Sequence, residues 1–213
     1  MTDHKIYRTP SAYGYPLLIK QLLNTLDLRH PSQEIVYADR LRYTYRDFKK
    51  RVARLANLLV SLGVKEGDTV AVLDWDSHRY LECFFAIPMV GAVLHTVNIR
   101  LSPDQILYTM NHAGDDLVLI NEEFLPLMAP ILGRIETVKD WVVISESGDN
   151  ADSAIQFSGE YEALLDTQSE EYDFADFDED LRATIFYTTG TTGNPKGVYY
   201  SHRQIVLHTL GKG

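Results

Sequence analysis

Between Tyr187 and Gly197 the chain reads Tyr-Thr-Thr-Gly-Thr-Thr-Gly-Asn-Pro-Lys-Gly, and these residue types at this spacing can do chemistry. Gly190, Gly193 and Gly197 let the main chain turn through positive φ and come close to a ligand. Thr188, Thr189, Thr191 and Thr192 supply hydroxyl donors, and the successive N–H groups of such a turn form a concavity suited to an anion. Lys196 adds one mobile positive charge. Hydroxyls, open backbone and a single ammonium are what a polyphosphate requires. The loop is not of the G-x-x-x-x-G-K-[ST] type, because Lys196 follows Pro195 and precedes Gly197. Strands are expected on both of its sides, so a helix N-terminus does not contribute. A plain Gly/Thr surface loop is the alternative, and the ordered set of hydroxyls, glycines and lysine argues against it.

Other reactive residue types carry weaker signals. Asp74 and Asp76 flank Trp75 and could form a carboxylate pair, but a strand leading into a loop and a helix capped at Ser77 explains them more simply. His95, His112, His202 and His208 lack metal-ligand spacing. His202 follows the capping residue Ser201 and is the one histidine close to the loop in sequence, a secondary phosphate-contact candidate. Cys83, the single cysteine, lies in an apolar helical stretch and reads as a packed, inert thiol.

The elements that must hold the loop follow from periodicity. A helix is expected from about Tyr15 to Leu28, and a strand over Glu34–Ala38. Thr44 caps a helix whose apolar residues Phe48, Val52, Leu55, Leu59 and Leu62 fall on one stripe that Gly63 ends. Strands are expected at Thr69–Leu73, Ala92–Val97, Leu117–Ile120 and Trp141–Ile144. Helices between them run from Ser77 to about Val90, from Ser102 to Gly114, and from about Glu122 to Arg134. Strands this apolar, alternating with helices, belong to mostly parallel sheets covered on both faces, so the fold class is α/β. A short helix at Tyr161–Leu165, strands at Arg182–Tyr187 and Val198–Tyr200, and a helix capped by Ser201 complete the pattern. The expected organisation is an α/β subdomain at 1–145, an acidic connector at 146–181, and the start of a next subdomain at 182–213.

The 213 residues carry a net charge of −10, unevenly spread. Asp140 to Asp180 holds fourteen acidic residues and no Lys or Arg, which suggests a solvated connector. A negative chain without a basic stripe is a poor nucleic-acid binder. No apolar run approaches the ~18 residues that span a bilayer, and no secretory leader is evident at Met1, so a cytoplasmic protein is expected.

The loop resembles the phosphate-binding signature of the adenylate-forming superfamily, which comprises acyl-CoA synthetases, adenylation domains of peptide synthetases and firefly luciferase. Leu41-Arg42-Tyr43-Thr44-Tyr45, the run from Leu62 to Ala71, and Asn111-His112-Ala113 are similar to the same family. Ala92–Asn98 and Arg100-Leu101-Ser102-Pro103 look most like its medium- and long-chain fatty acyl-CoA synthetase branch. The resemblance extends over residues 15 to 210. It implies an ATP-dependent acid–thiol ligase: a carboxylate attacks the α-phosphate of ATP, pyrophosphate leaves, and CoA displaces AMP from the acyl-adenylate. It also implies that Thr188, Thr189, Thr191 and Thr192 contact the phosphates, and that Gly190, Gly193 and Gly197 shape the loop. Thr188 would face Mg2+, and Lys196 would meet the departing pyrophosphate. The acid would be a fatty acid or another carboxylic acid. The family's adenine, ribose, acyl and catalytic-lysine motifs lie downstream, so the chain is expected to be an N-terminal portion inactive alone. A binding or assembly module, with a second copy of the chain as partner, is the reading from a different class.

Overall fold

Val70 and Val72 of one strand face one apolar cluster, while Ala71 and Leu73 face another, so the strand is buried on both sides. Leu117 and Leu119 alternate with Val118 and Ile120 in the same way. The computed structural model, which describes residues 7, 9–146, 153–188 and 194–211, builds its sheet from such strands. In chain order the elements are α1 (Ile19–Arg29), β1 (Glu34–Tyr37), β2 (Leu41–Thr44), α2 (Tyr45–Ser61), β3 (Thr69–Leu73), α3 (His78–Met89) and β4 (Val93–Thr96). They continue with α4 (Pro103–Ala113), β5 (Asp115–Asn121), α5 (Leu125–Met128), β6 (Asp140–Ile144), β7 (Gly159–Glu160) and α6 (Tyr161–Asp166). The last described elements are β8 (Arg182–Thr188), β9 (Lys196–Ser201) and α7 (His202–Leu210).

The main sheet has the order β7-β6-β5-β3-β4-β8-β9. Every neighbouring pair in it is parallel except β8 with β9. One face is covered by α1, α2, α3, α6 and α7 and the other by α4 and α5. The mostly parallel, helix-flanked α/β sheet is therefore as the apolar strands require. The strands on either side of the loop belong to the same sheet as β3–β7, with β8 hydrogen-bonded to β4.

Caps fall where the sequence places them. Thr44 accepts from the Asp47 N–H while the Asp47 carboxylate accepts from Thr44, and Ser102 with Gln105 forms a second such box. Gly63, at φ 86°, ends the stripe of α2 in a conformation that a side chain would resist. The helix expected over Glu122–Arg134 is instead broken into short turns at Glu122–Phe124, Leu125–Met128 and Leu132–Arg134. Pro126 fits a first turn, but Pro130 lacks the N–H that would carry the helix onward. The strand β2 escaped the sequence reading because its four residues pair only locally with β1.

Most described acids of the acidic stretch are exposed, and several of them are tied to basic side chains. Arg51 binds Glu162, Arg54 binds Asp166 and Glu170, Lys50 binds Glu170, and Lys20 binds Asp176. The Asn57 side chain donates to the carbonyls of Ser169 and Glu171 at 3.0 and 2.9 Å. Residues 162–176 thus lie as a strap along the basic face of α2 and reach α1 at Lys20.

Beneath the strap is a buried charged knot. Glu82, wholly buried on α3, accepts from Arg51 Nε at 2.6 Å and Nη2 at 3.1 Å, and from the Tyr161 hydroxyl at 2.8 Å. Arg79 donates to Glu162 and to Glu146, each at 2.8 Å. Burial works against ionisation of Glu162, but His78, Arg51 and Arg79 outweigh it and bring its pKa down to about 2. Burial also disfavours charge on Arg51, yet Glu82 and Glu162 keep the guanidinium firmly protonated. Cys83 beside this knot is fully buried, and burial pushes its thiol pKa well up, so it is the inert packed sulfur expected.

Candidate functional site

Thr188 closes β8 and Lys196 opens β9, and the two are Cα partners across the antiparallel pair. The structure therefore brings the two ends of the loop together at one sheet edge. Both residues are exposed, and the Thr188 hydroxyl lies 3.5 Å from the Lys196 carbonyl, a weak contact. Thr189, Gly190, Thr191, Thr192 and Gly193 lie outside the described residues. The neighbouring pair is Tyr187 with Gly197. A Cβ on Gly197 would sit 3.3 Å from Ile185 Cδ1 and 3.4 Å from the Tyr187 ring, so a side chain there would press on the core side of the hairpin. Strands, not a helix N-terminus, hold the loop. The hairpin is also tied by Phe186 stacked on Tyr200 with centroids 5.7 Å apart, and by Arg182 over the Tyr199 ring at 4.1 Å.

Tyr187 itself is buried. Its hydroxyl lies 2.8 Å from His112 Nδ1 on α4, and its ring is 5.3 Å from the His95 ring on β4. Burial raises the Tyr187 pKa, with Tyr199 and Asp115 adding to it, so the hydroxyl stays protonated; which partner donates is set by the His112 tautomer. His95 in turn has Nδ1 2.9 Å from both oxygens of the fully buried Asp115. Burial pushes the Asp115 carboxyl up, and His95 works in the opposite direction. Sequence reading gave no sign of this arrangement: twenty residues separate His95 from Asp115, and pairing across β3 is visible only in the folded sheet.

The other candidates separate from the loop. Asp74 is buried and accepts from the Ser77 hydroxyl and from Asn121 Nδ2 at 2.8 Å, while Asp76 is exposed, so the two carboxylates do not share a site. His202 is wholly buried and accepts at Nδ1 from the Ile19 N–H at 3.3 Å, with its ring edge-on to Phe177. Desolvation lowers its pKa to about 4, against a small opposing effect of the Pro88 carbonyl. It is a neutral packing residue that joins α7 to α1, with no cation to offer a phosphate. Among the described residues no group of three or more His, Cys, Asp or Glu could hold a metal ion.

This sheet and its helices place the chain in the α/β class of the adenylate-forming enzymes. The anthranilate CoA ligase AuaEII, solved with anthranoyl-AMP, superposes with a TM-score of 0.78 at 25% identity, covering 89% of this chain and 35% of that one. A family model described as AMP-binding enzyme matches residues 27–212. The chain belongs to the AMP-binding enzyme family. It is 36% identical over 198 residues to a medium-chain-fatty-acid–CoA ligase of Ectopseudomonas oleovorans, covering 91% of this chain and 36% of that protein. It is 44% identical over 169 residues to a long-chain-fatty-acid–CoA ligase of Thermus thermophilus, covering 79% of this chain and 30% of that protein. The chain thus spans about a third of the length of these curated relatives.

Proposed function

We propose that the chain supplies the phosphate-gripping part of an ATP-dependent acid–thiol ligase that activates a fatty acid as its acyl-adenylate and passes it to CoA. The observation that carries this reading is the position of Thr188 and Lys196, facing each other where β8 and β9 enter a threonine- and glycine-rich loop. In this role the hydroxyls of Thr188, Thr189, Thr191 and Thr192 donate to the β- and γ-phosphates. Gly190, Gly193 and Gly197 keep the backbone close, and Lys196 neutralises charge as pyrophosphate departs. Mg2+, met on the protein side by Thr188, would offset the charge of the phosphates. A single protein hydroxyl such as that of Thr188 suits an ion that keeps most of its waters. Similarity to fatty-acid–CoA ligases favours a fatty acid over other carboxylic acids. No helix among the described residues is long and apolar enough to cross a membrane.

Two measurements test the reading. The 213-residue chain alone is expected to form no acyl-CoA from octanoate or palmitate, ATP and CoA; sustained turnover would contradict the division of labour proposed. It is expected to bind Mg·pyrophosphate, with Lys196→Ala weakening the affinity about tenfold or more, as for loss of a charge-assisted contact. Equal calorimetric affinities for the two proteins would remove the lysine from the site.

An assembly role is the second reading. A groove of about 750 Å³, lined by Ile19, Leu22, Leu26, Phe84, Phe186 and Leu210 among others, favours it. A monomer by light scattering at high concentration would count against association of two copies.

A further inference from the structure

We infer that Tyr187, His112 and the His95–Asp115 pair are positioning residues that fix the base of the phosphate loop. The inference rests on the proposed role of that loop.

Tyr187 is the last inward-facing side chain of β8 before the loop begins, and it is held from several directions. Its ring is edge-on to His112, with centroids 5.7 Å apart and planes at 83°. Its hydroxyl bonds His112 Nδ1 at 2.8 Å, and the His95 ring lies on the sheet side with its centroid 5.3 Å from that of the Tyr187 ring. Opposite, Gly197 leaves room for the ring where a Cβ would stand 3.4 Å away. These contacts select the pairing of Tyr187 with Gly197, and hence of Thr188 with Lys196. With β8 held against β4, slippage of β9 by one residue would turn Lys196 to the other face.

His95 and Asp115 occupy positions that could have been apolar like the rest of the strands around them. Burying an imidazole and a carboxylate together is costly unless they bond to each other. The 2.9 Å contacts to both carboxylate oxygens fix the ring plane, and with it the surface that Tyr187 meets. The second ring nitrogen, His95 Nε2, is buried and has no hydrogen-bond partner. The ring therefore serves as a wedge between Asp115 and Tyr187, oriented by one nitrogen only.

The test uses the whole 213-residue chain in two assays. In the first, Mg·pyrophosphate affinity is measured for Tyr187→Phe, His112→Leu and His112→Asn. Tyr187→Phe deletes one hydroxyl and keeps the ring, and His112→Asn retains an acceptor near the Nδ1 position. The first two variants are expected to bind about three- to tenfold more weakly, as for loss of one hydrogen bond. His112→Asn should recover most of that loss. A merely structural role would lower thermal stability in all three without this recovery in affinity. In the second assay, amide exchange is followed at Thr188 and Gly197, with Val72 of β3 as reference. Tyr187→Phe should speed exchange at the two hairpin positions several-fold and leave Val72 unchanged. If the parent chain fails to bind pyrophosphate, the reading of the loop fails, and the exchange data still decide whether Tyr187 fixes the strand ends. Unchanged exchange at Thr188 and Gly197 overturns the inference, as does unchanged affinity of Tyr187→Phe when the parent binds.

Discussion

Glu82→Ala is expected to cost about 3–5 kcal/mol of folding stability, the range for removing one partner of a buried ion pair. Against the roughly 5–15 kcal/mol that a domain of this size possesses, that is enough to populate unfolded chain at ordinary temperature. The reason is specific to the knot. Glu82 is wholly buried and answers both the Arg51 guanidinium and the Tyr161 hydroxyl, so its loss leaves the guanidinium with Glu162 alone and a buried O–H without its acceptor on the inner side of the strap. The double replacement Glu82→Met with Arg51→Met removes both charges and should recover part of the loss, with the Tyr161 O–H as the group still left without its acceptor. Urea unfolding of the three proteins checks this. Glu82→Ala within 1 kcal/mol of the parent would show that the knot is not the anchor the structure presents.

The second large effect is a loss of stability in mild acid, caused by His202. Its pKa is about 4 in the folded chain against 6.5 unfolded. Above pH 6.5 the ring is neutral in both states and the full stability is present. As pH falls from there, the unfolded chain takes up a proton that the folded chain refuses until about pH 4, so stability declines across that window. The shift corresponds to about 3 kcal/mol. His202→Asn keeps an acceptor for the Ile19 N–H and does not titrate. The carboxylates of the strap titrate in both proteins and cancel in the difference, so the parent should lose about 3 kcal/mol relative to the variant between pH 7 and pH 4. Parallel stability–pH curves would show that His202 does not resist protonation.

How much of this was legible in the sequence depended on whether the determining contacts were local. Thr69–Leu73 announced a doubly buried strand because five apolar or β-branched residues in a row leave no polar face. Thr44, Ser77, Ser102 and Ser201 announced helix starts because capping is settled within three residues of the cap. The ion pairs that tie the acidic stretch down were not legible, because its partners Arg51, Arg54, Lys50 and Lys20 lie more than a hundred residues earlier. The helix over Glu122–Arg134 was overdrawn because its apolar spacing outweighed Pro130 in the reading and not in the chain. For the site, the residue types of the loop were visible at once, and so was its setting between two strands. The support behind it was not. Nothing near Tyr187 in sequence points to His95, His112 or Asp115, which reach it through the order β5-β3-β4-β8 of the sheet and the packing of α4.

The account turns on whether the residues between Tyr187 and Gly197 close around phosphate. Backbone amide shifts of the 213-residue chain, followed by NMR as Mg·pyrophosphate is added, measure this directly. The account predicts saturable shifts at Thr188, Lys196 and Gly197 that are abolished in Lys196→Ala, with β6 at the far side of the sheet unmoved. Saturable shifts confined to the basic groove around Lys20, Arg46 and Lys50, or none at the hairpin at all, would contradict it.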